Sequence, residues 1–137
     1  MRIVIVGAGR VGARLANLLH EQHDVTVIDV DEHAFRRLTP TFRGLTIQGN
    51  GIDVDTLRAG GAEGADILLA MTNGDNRNLM AAQVAKAILD VETVIARVYD
   101  PVRAVTFSEM GLNTICPTMT GAKRLFEKIT GGEVCTS

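Results

Sequence analysis

A doubly wound, parallel α/β sheet is the fold class that this sequence predicts, and three observations predict it. Strand-length apolar runs alternate with helix-length amphipathic stretches along the whole chain. The first run, Arg2 to Val6, passes directly into Gly7-Ala8-Gly9-Arg10-Val11-Gly12 and then a helical pattern. The second run, Asp24 to Asp29, ends in an acid about 20 residues beyond the glycines.

The elements follow in order. Helix one carries Val11, Leu15, Leu18 and Leu19 at helical spacing, a face expected to pack on the sheet. After strand two, Arg36 and Arg37 fall well into the next helix and are expected on its solvated face. Strand three is Leu45 to Gln48, followed by Gly49-Asn50-Gly51, a short helix capped by Asp53 through about Ala59, and a stop at Gly60-Gly61. Strand four, Asp66 to Ala70, is almost wholly apolar, as a strand covered on both faces should be. Asp75 is expected to cap the longest helix, Asn76 to Leu89, with Met80, Val84, Ala87 and Ile88 inward. Strand five is Thr93 to Val98, Pro101 opens a helix where no N–H is needed, and strand six is Asn113 to Cys116. The final helix follows Pro117 with an apolar stripe of Ala122, Leu125, Phe126 and Ile129. With right-handed crossovers, six such strands give a Rossmann-type sheet of order 3-2-1-4-5-6. Residues 1–130 are expected to form one nucleotide-binding domain and 131–137 a short flexible tail.

The glycine segment carries the chemistry. Gly7 allows the sharp strand-to-helix turn, Gly9 leaves room for a pyrophosphate, and Gly12 lets the helix pack closely on the strand. Unpaired N–H groups at the helix start favour phosphate. Asp29, followed by Val30, is placed to accept hydrogen bonds from ribose hydroxyls and to repel a 2′-phosphate, which disfavours NADP. In the expected topology Asn50 and Gly51 lie where an adenine ring would rest. Met71, Thr72, Asn73 and Asn76 lie where phosphates or a second nucleoside would, although turn chemistry and a helix cap explain the polar ones equally well.

Composition narrows the function. The chain has 137 residues and a net charge of −2, with no basic patch interleaved with aromatics, so nucleic acid is not an expected partner. Its apolar runs fall far short of the ~20 residues that span a bilayer, and strand one begins at once, which leads us to expect a cytoplasmic protein without membrane insertion. Cys116 and Cys135 are isolated and expected to be reduced thiols; His20 and His23 are expected to mark a solvated helix end, and no metal site is expected.

The motifs Gly7-Ala8-Gly9-Arg10-Val11-Gly12, Val27-Ile28-Asp29-Val30-Asp31, Gly49-Asn50-Gly51, Ala70-Met71-Thr72-Asn73-Gly74-Asp75-Asn76, Val94-Ile95-Ala96-Arg97-Val98 and Met110-Gly111-Leu112-Asn113 cover nearly the whole chain. In this order they resemble the N-terminal nucleotide-binding domain, RCK or KTN, of Trk/Ktr-type potassium-uptake regulators. That resemblance implies a cytoplasmic gating subunit, dimeric and then ring-forming, on a membrane-embedded potassium channel or transporter. It implies binding of NAD(H) or ATP/ADP with a shape change that follows the nucleotide. Arg10 carries over as a candidate terminal-phosphate contact, with a surface cation as the alternative; Arg97 stands at the crevice rim, where an ion pair is equally expected. The homodimer contact is expected on the last helix, the alternative being that its stripe covers the sheet edge.

Two departures stand out. Some ATP-binding members of that family have an acid after the proline that follows strand six, whereas this chain reads Cys116-Pro117-Thr118-Met119-Thr120, which tilts the expectation toward NAD(H). Family members usually carry a second small domain, so the chain is read as a fragment or a stand-alone domain. The competing function is a fragment of an NAD-dependent oxidoreductase. Against it, Tyr99 is followed by Arg103 rather than Lys, no His lies beyond His33, and no catalytic residue is assigned.

Overall fold

The computed structural model describes residues 1–132; Cys135 and most of the expected tail lie outside the described residues. The strands are β1 (Arg2–Val6), β2 (Asp24–Asp29), β3 (Leu45–Gln48), β4 (Ile67–Ala70), β5 (Thr93–Arg97) and β6 (Asn113–Ile115). Every pairing is parallel and the order is β3-β2-β1-β4-β5-β6, as expected. The helices are α1 (Arg10–Leu19), α2 (Val54–Ala59), α3 (Asp75–Ala87), α4 (Pro101–Glu109) and α5 (Pro117–Ile129), with a 3₁₀ segment at Glu32–Arg37.

Strand alternation divides the core into two layers. Val4, Val6, Ile28, Leu68 and Ala70 face Leu57 of α2 and Leu79, Ala82 and Ala85 of α3. Ile3, Ile5, Val25, Val27 and Leu69 face Ala16 of α1 and Ala34. Small residues carry both helix contacts, because alanine brings the helix backbone close to the sheet.

This closeness corrects two expected faces. On α1 the buried residues are Gly12, Ala13 and Ala16, with Leu15 and Leu19 flanking; Val11 and Leu18 are exposed. On α3 they are Asn78, Leu79, Ala81, Ala82 and Ala85, while Met80, Ala87 and Ile88 are exposed and only Val84 packs against the core. In both helices the larger apolar residues suggested a face that the alanines fill.

Two further expectations change, and the alternative reading of α5 falls away. The cap position of α3 is Gly74, because the Asp75 carboxylate is spent elsewhere: it accepts from the N–H of Tyr99 at 2.8 Å and of Asp100 at 3.1 Å. His20 is buried, its Nδ1 accepting from the N–H of Arg43 at 3.1 Å and its ring tilted against Phe42, while His23 meets the N-terminal amine. The α5 stripe does not cover the sheet edge: Leu125, Phe126 and Ile129 are 62%, 54% and 82% exposed. Cys116 is a buried free thiol whose Sγ lies 3.4 Å from the carbonyl of Tyr99. No helix among the described residues is long and apolar enough to cross a membrane.

Leu89 is fully buried where α3 ends. Leu89→Ala is expected to lower the unfolding free energy by about 2–5 kcal/mol, whereas the exposed Ile129→Ala changes it by less than about 0.5 kcal/mol; urea denaturation followed by circular dichroism measures both.

Candidate functional site

The site begins at a crowded turn. Gly7 has φ +105°, and a Cβ there would lie 2.9 Å from the carbonyl carbon of Met71 and from the nitrogen of Thr72. Its N–H donates to Ile28 O at 2.7 Å. A Cβ on Gly12 would collide with the Gly7 carbonyl, so α1 packs against the turn that launches it. At Gly9 the opposite holds: a Cβ would meet nothing within 4 Å, because that position opens onto a cleft. No side chain caps α1 and its first turn has no acid, so its N-terminal N–H groups are left for an incoming anion.

The cleft has a volume of about 630 Å³ and lies across the carboxyl ends of the strands, at the β1/β4 switch point. Gly7, Gly9, Arg10, Val11, Asp29, Val30, Asn50, Gly51, Met71, Thr72, Asn73 and Arg97 all line it. Gly12 works behind the wall, as its packing role requires. Asn76 does not line the cleft; its Oδ1 accepts from Arg103 Nη1 at 3.0 Å on the outer side of α3, and Arg77 takes the lining position.

Asp29 does more than face a ribose position. Its Oδ2 accepts from the N–H of Ala8 at 2.7 Å and its Oδ1 from the N–H of Asp31 at 2.9 Å. The carboxylate thereby ties the glycine turn to the end of β2. Each oxygen retains a lone pair for a ligand hydroxyl. Asn50 closes its own turn by accepting from the N–H of Ile52, and Gly51 lies against Val6, where a Cβ would collide with that side chain.

The opposite wall is held by a side chain that sequence reasoning missed. Asn78 is fully buried; its Oδ1 accepts from the N–H of Thr72 at 2.9 Å and from Thr72 Oγ1 at 2.6 Å. Its Nδ2 donates to Thr72 O at 2.9 Å and to Arg97 O at 2.8 Å. One amide thus locks the exit of β4 to the end of β5. The available signal was an asparagine on a helix face otherwise filled by Leu79, Ala81, Ala82 and Ala85.

Arg97 lines the cleft but is buried in its wall, 8% exposed. Its Nη2 donates to Met71 O at 2.8 Å and Thr72 O at 2.9 Å, and its Cζ lies 5.1 Å from the centre of the Tyr99 ring. Its Nε has no partner among the described residues, and no carboxylate lies within ion-pair distance. Arg37 also departs from expectation: the 3₁₀ segment turns its guanidinium back toward the glycine turn, 3.4 Å from Ala8 O, and it lines the cleft. Arg10, Arg37, Arg77 and Arg97 therefore meet Asp29 and Asp31 around the cleft, and none of the four is in an ion pair among the described residues. The wall is cationic, with an uncapped helix end, an acid at the end of β2 and an open position at Gly9, which suits an adenine nucleotide with its phosphates. No cluster of three His, Cys, Asp or Glu able to hold a metal occurs among the described residues.

Asn78→Ala strands the Thr72 N–H and Arg97 O in the interior. We expect a loss of about 2–4 kcal/mol in unfolding free energy, against less than about 0.5 kcal/mol for the exposed Asn76→Ala, both read from urea midpoints.

With this geometry established, comparison with known proteins is informative. Residues 3–117 match the TrkA-N domain family model. The chain is 44% identical over 130 residues to the Trk system potassium uptake protein TrkA of Streptomyces coelicolor, covering 94% of this chain and 58% of that protein. It thus spans little more than half the length of that relative. Among solved structures, the Kef CTD of Shewanella denitrificans in AMP-bound form has a TM-score of 0.79 at 21% identity, covering 95% of this chain and 80% of that one. The GsuK channel bound to NAD has a TM-score of 0.69 at 20% identity, covering 85% of this chain and 21% of that one. These two likenesses show the shared fold. By the family match over most of its length and the identity to its curated relative, the chain belongs to the TrkA-N domain family.

Proposed function

We propose that this domain is a cytoplasmic regulatory module that binds an adenine nucleotide in the cleft and passes its occupancy to a membrane-embedded potassium channel or transporter. The observation that carries the nucleotide part is the pairing of Asp29 with the uncapped α1 N-terminus across an opening at Gly9. Asp29 would hold the ribose hydroxyls, the N–H groups of Arg10 and Val11 the phosphates, and Asn50 and Gly51 would flank the adenine. Arg10 would add charge at the phosphates, and Thr72, Asn73 and Arg97 would line the far half. Asn76 is assigned no contact in this arrangement.

NAD(H) is the favoured ligand, with ATP or ADP the alternative. Support comes from the relatives: GsuK has been solved with NAD and with ADP, and the Kef domain with AMP. The potassium part is supported by the Streptomyces coelicolor relative, named for Trk potassium uptake, and by the GsuK channel. The role is non-catalytic: the nucleotide shifts a conformational equilibrium by its unequal affinity for two states, and no bond in it breaks. The exposed α5 stripe would take part in a homodimer, from which a larger ring could grow.

Calorimetric titration of nucleotide-free protein with NAD, NADH, ATP and ADP tests the proposal. Micromolar or tighter binding of at least one is expected, with loss of about 1–3 kcal/mol of affinity in Asp29→Ala. Absence of binding by all four overturns it. Light scattering at high micromolar concentration is expected to give a dimer mass; a strictly monomeric mass counts against the α5 contact.

A further inference from the structure

The outer side of α1 carries charge that the cleft does not account for. Arg10 and Arg14 stand four residues apart on this helix, so their side chains share one face, and like charges so placed repel. The 3₁₀ segment brings Arg37 to the same place. A groove of about 310 Å³ opens there, lined by Arg10, Ala13, Arg14, Asn17, Leu18 and Arg37. Three guanidinium groups and no carboxylate face it. Among the described residues none of the three is in an ion pair, and only Arg37 makes a side-chain hydrogen bond, at 3.4 Å to Ala8 O.

The fold holds this groove in shape. Asn17 uses both ends of its amide on the chain that leaves the 3₁₀ segment: Nδ2 donates to Arg37 O at 3.1 Å, and Oδ1 accepts from the N–H of Thr39 at 2.8 Å. The main chain that carries Arg37 is thereby clamped to α1, and the cations stay together although they repel. The groove is also distinct from the cleft. Arg10 and Arg37 border both, whereas Ala13, Arg14, Asn17 and Leu18 border the groove alone.

Convergent guanidinium groups match the oxygens of a phosphate, which accepts several forked N–H donors at once. Ala13 and the exposed Leu18 give the groove an apolar side for the group that bears the phosphate. We propose that the groove between α1 and the 3₁₀ segment is a second anion site, separate from the nucleotide cleft, that takes a phosphate-bearing anion through Arg10, Arg14 and Arg37. A soluble phosphorylated molecule and a phospholipid head group offer the same oxygens, so the chemistry is common to both. The site does not depend on what fills the cleft. Of its three cations, Arg14 belongs to it alone.

The test titrates the ¹⁵N-labelled full chain with inorganic pyrophosphate at constant ionic strength, following the Nε–H signals of Arg14 and Arg37 and the amide of Leu18. Saturating shifts at millimolar or lower ligand are expected in wild type. In Arg14→Gln, an exposed substitution whose folding circular dichroism checks, binding is expected to weaken about tenfold through loss of one charge-assisted contact. Sedimentation with phosphatidylglycerol vesicles, against phosphatidylcholine alone, identifies the source of the phosphate. Vesicle binding that Arg14→Gln weakens assigns it to a lipid head group; pyrophosphate binding at the groove without vesicle binding assigns it to a soluble molecule. Pyrophosphate shifts absent, or confined to the cleft amides of Gly9 and Val11, together with no vesicle binding, overturn the proposal in wild type alone. Binding by either ligand that folded Arg14→Gln leaves unchanged overturns it too.

Discussion

The molecule depends on how tightly the first turn is pressed into the sheet. Gly7 sits between β2 and β4, bonded to Ile28 O, with the Met71–Thr72 peptide against the position where a side chain would begin. The carbonyl of Gly7 in turn occupies the space that a Cβ on Gly12 would need. No residue but glycine satisfies both contacts without moving backbone. Because the turn is wedged there, α1 starts beside the exit of β4, and the switch point between β1 and β4 becomes a cleft instead of a filled groove.

Main-chain contacts of this kind fix position but not charge, and charge gives the cleft its character. Asp29 spends one lone pair of each oxygen on Ala8 and Asp31, so that the acid which would read a ribose also holds the turn that would cradle the phosphates. Asn78 does the corresponding work on the other side, tying Thr72 to Arg97. Two polar side chains, half-buried Asp29 on one wall and buried Asn78 on the other, hold the cleft open, and the arginines around it lack acidic partners among the described residues. A cationic cavity whose walls are held by such hydrogen bonds is preorganised for an anion, because little need be reordered when one arrives.

The sheet was legible in the sequence because parallel buried strands are continuous apolar runs and the glycine motif dates the first crossover. All six strands fall within a residue or two of where periodicity puts them; Asp66, for example, stands just outside β4, its carboxylate accepting from the N–H of Arg2. The helix faces were less legible, since alanine contributes little to an apolar pattern yet forms the closest contacts, as Ala13, Ala16, Ala81, Ala82 and Ala85 show. The cleft lining was largely legible from the ends of β1, β2 and β4. Arg37, Arg77 and Tyr99 were not, because each reaches it from a segment whose orientation is set by tertiary packing. Arg97 was placed at the rim from its position at the end of strand five, and the carbonyls of Met71 and Thr72 explain its burial.

The α5 stripe remains solvent-facing in the single chain and lies outside the cleft. The central claim, that an adenine nucleotide occupies the carboxyl-end cleft, is tested most directly by titrating ADP-ribose into ¹⁵N-labelled protein and following backbone amide shifts. Saturating shifts are predicted for Gly9, Arg10, Val11, Asn50, Gly51 and Thr72, with the amides of Gln22, His23 and Arg43 at the opposite end of the sheet unmoved. Shifts confined to that opposite end, or none at millimolar ligand, would contradict it.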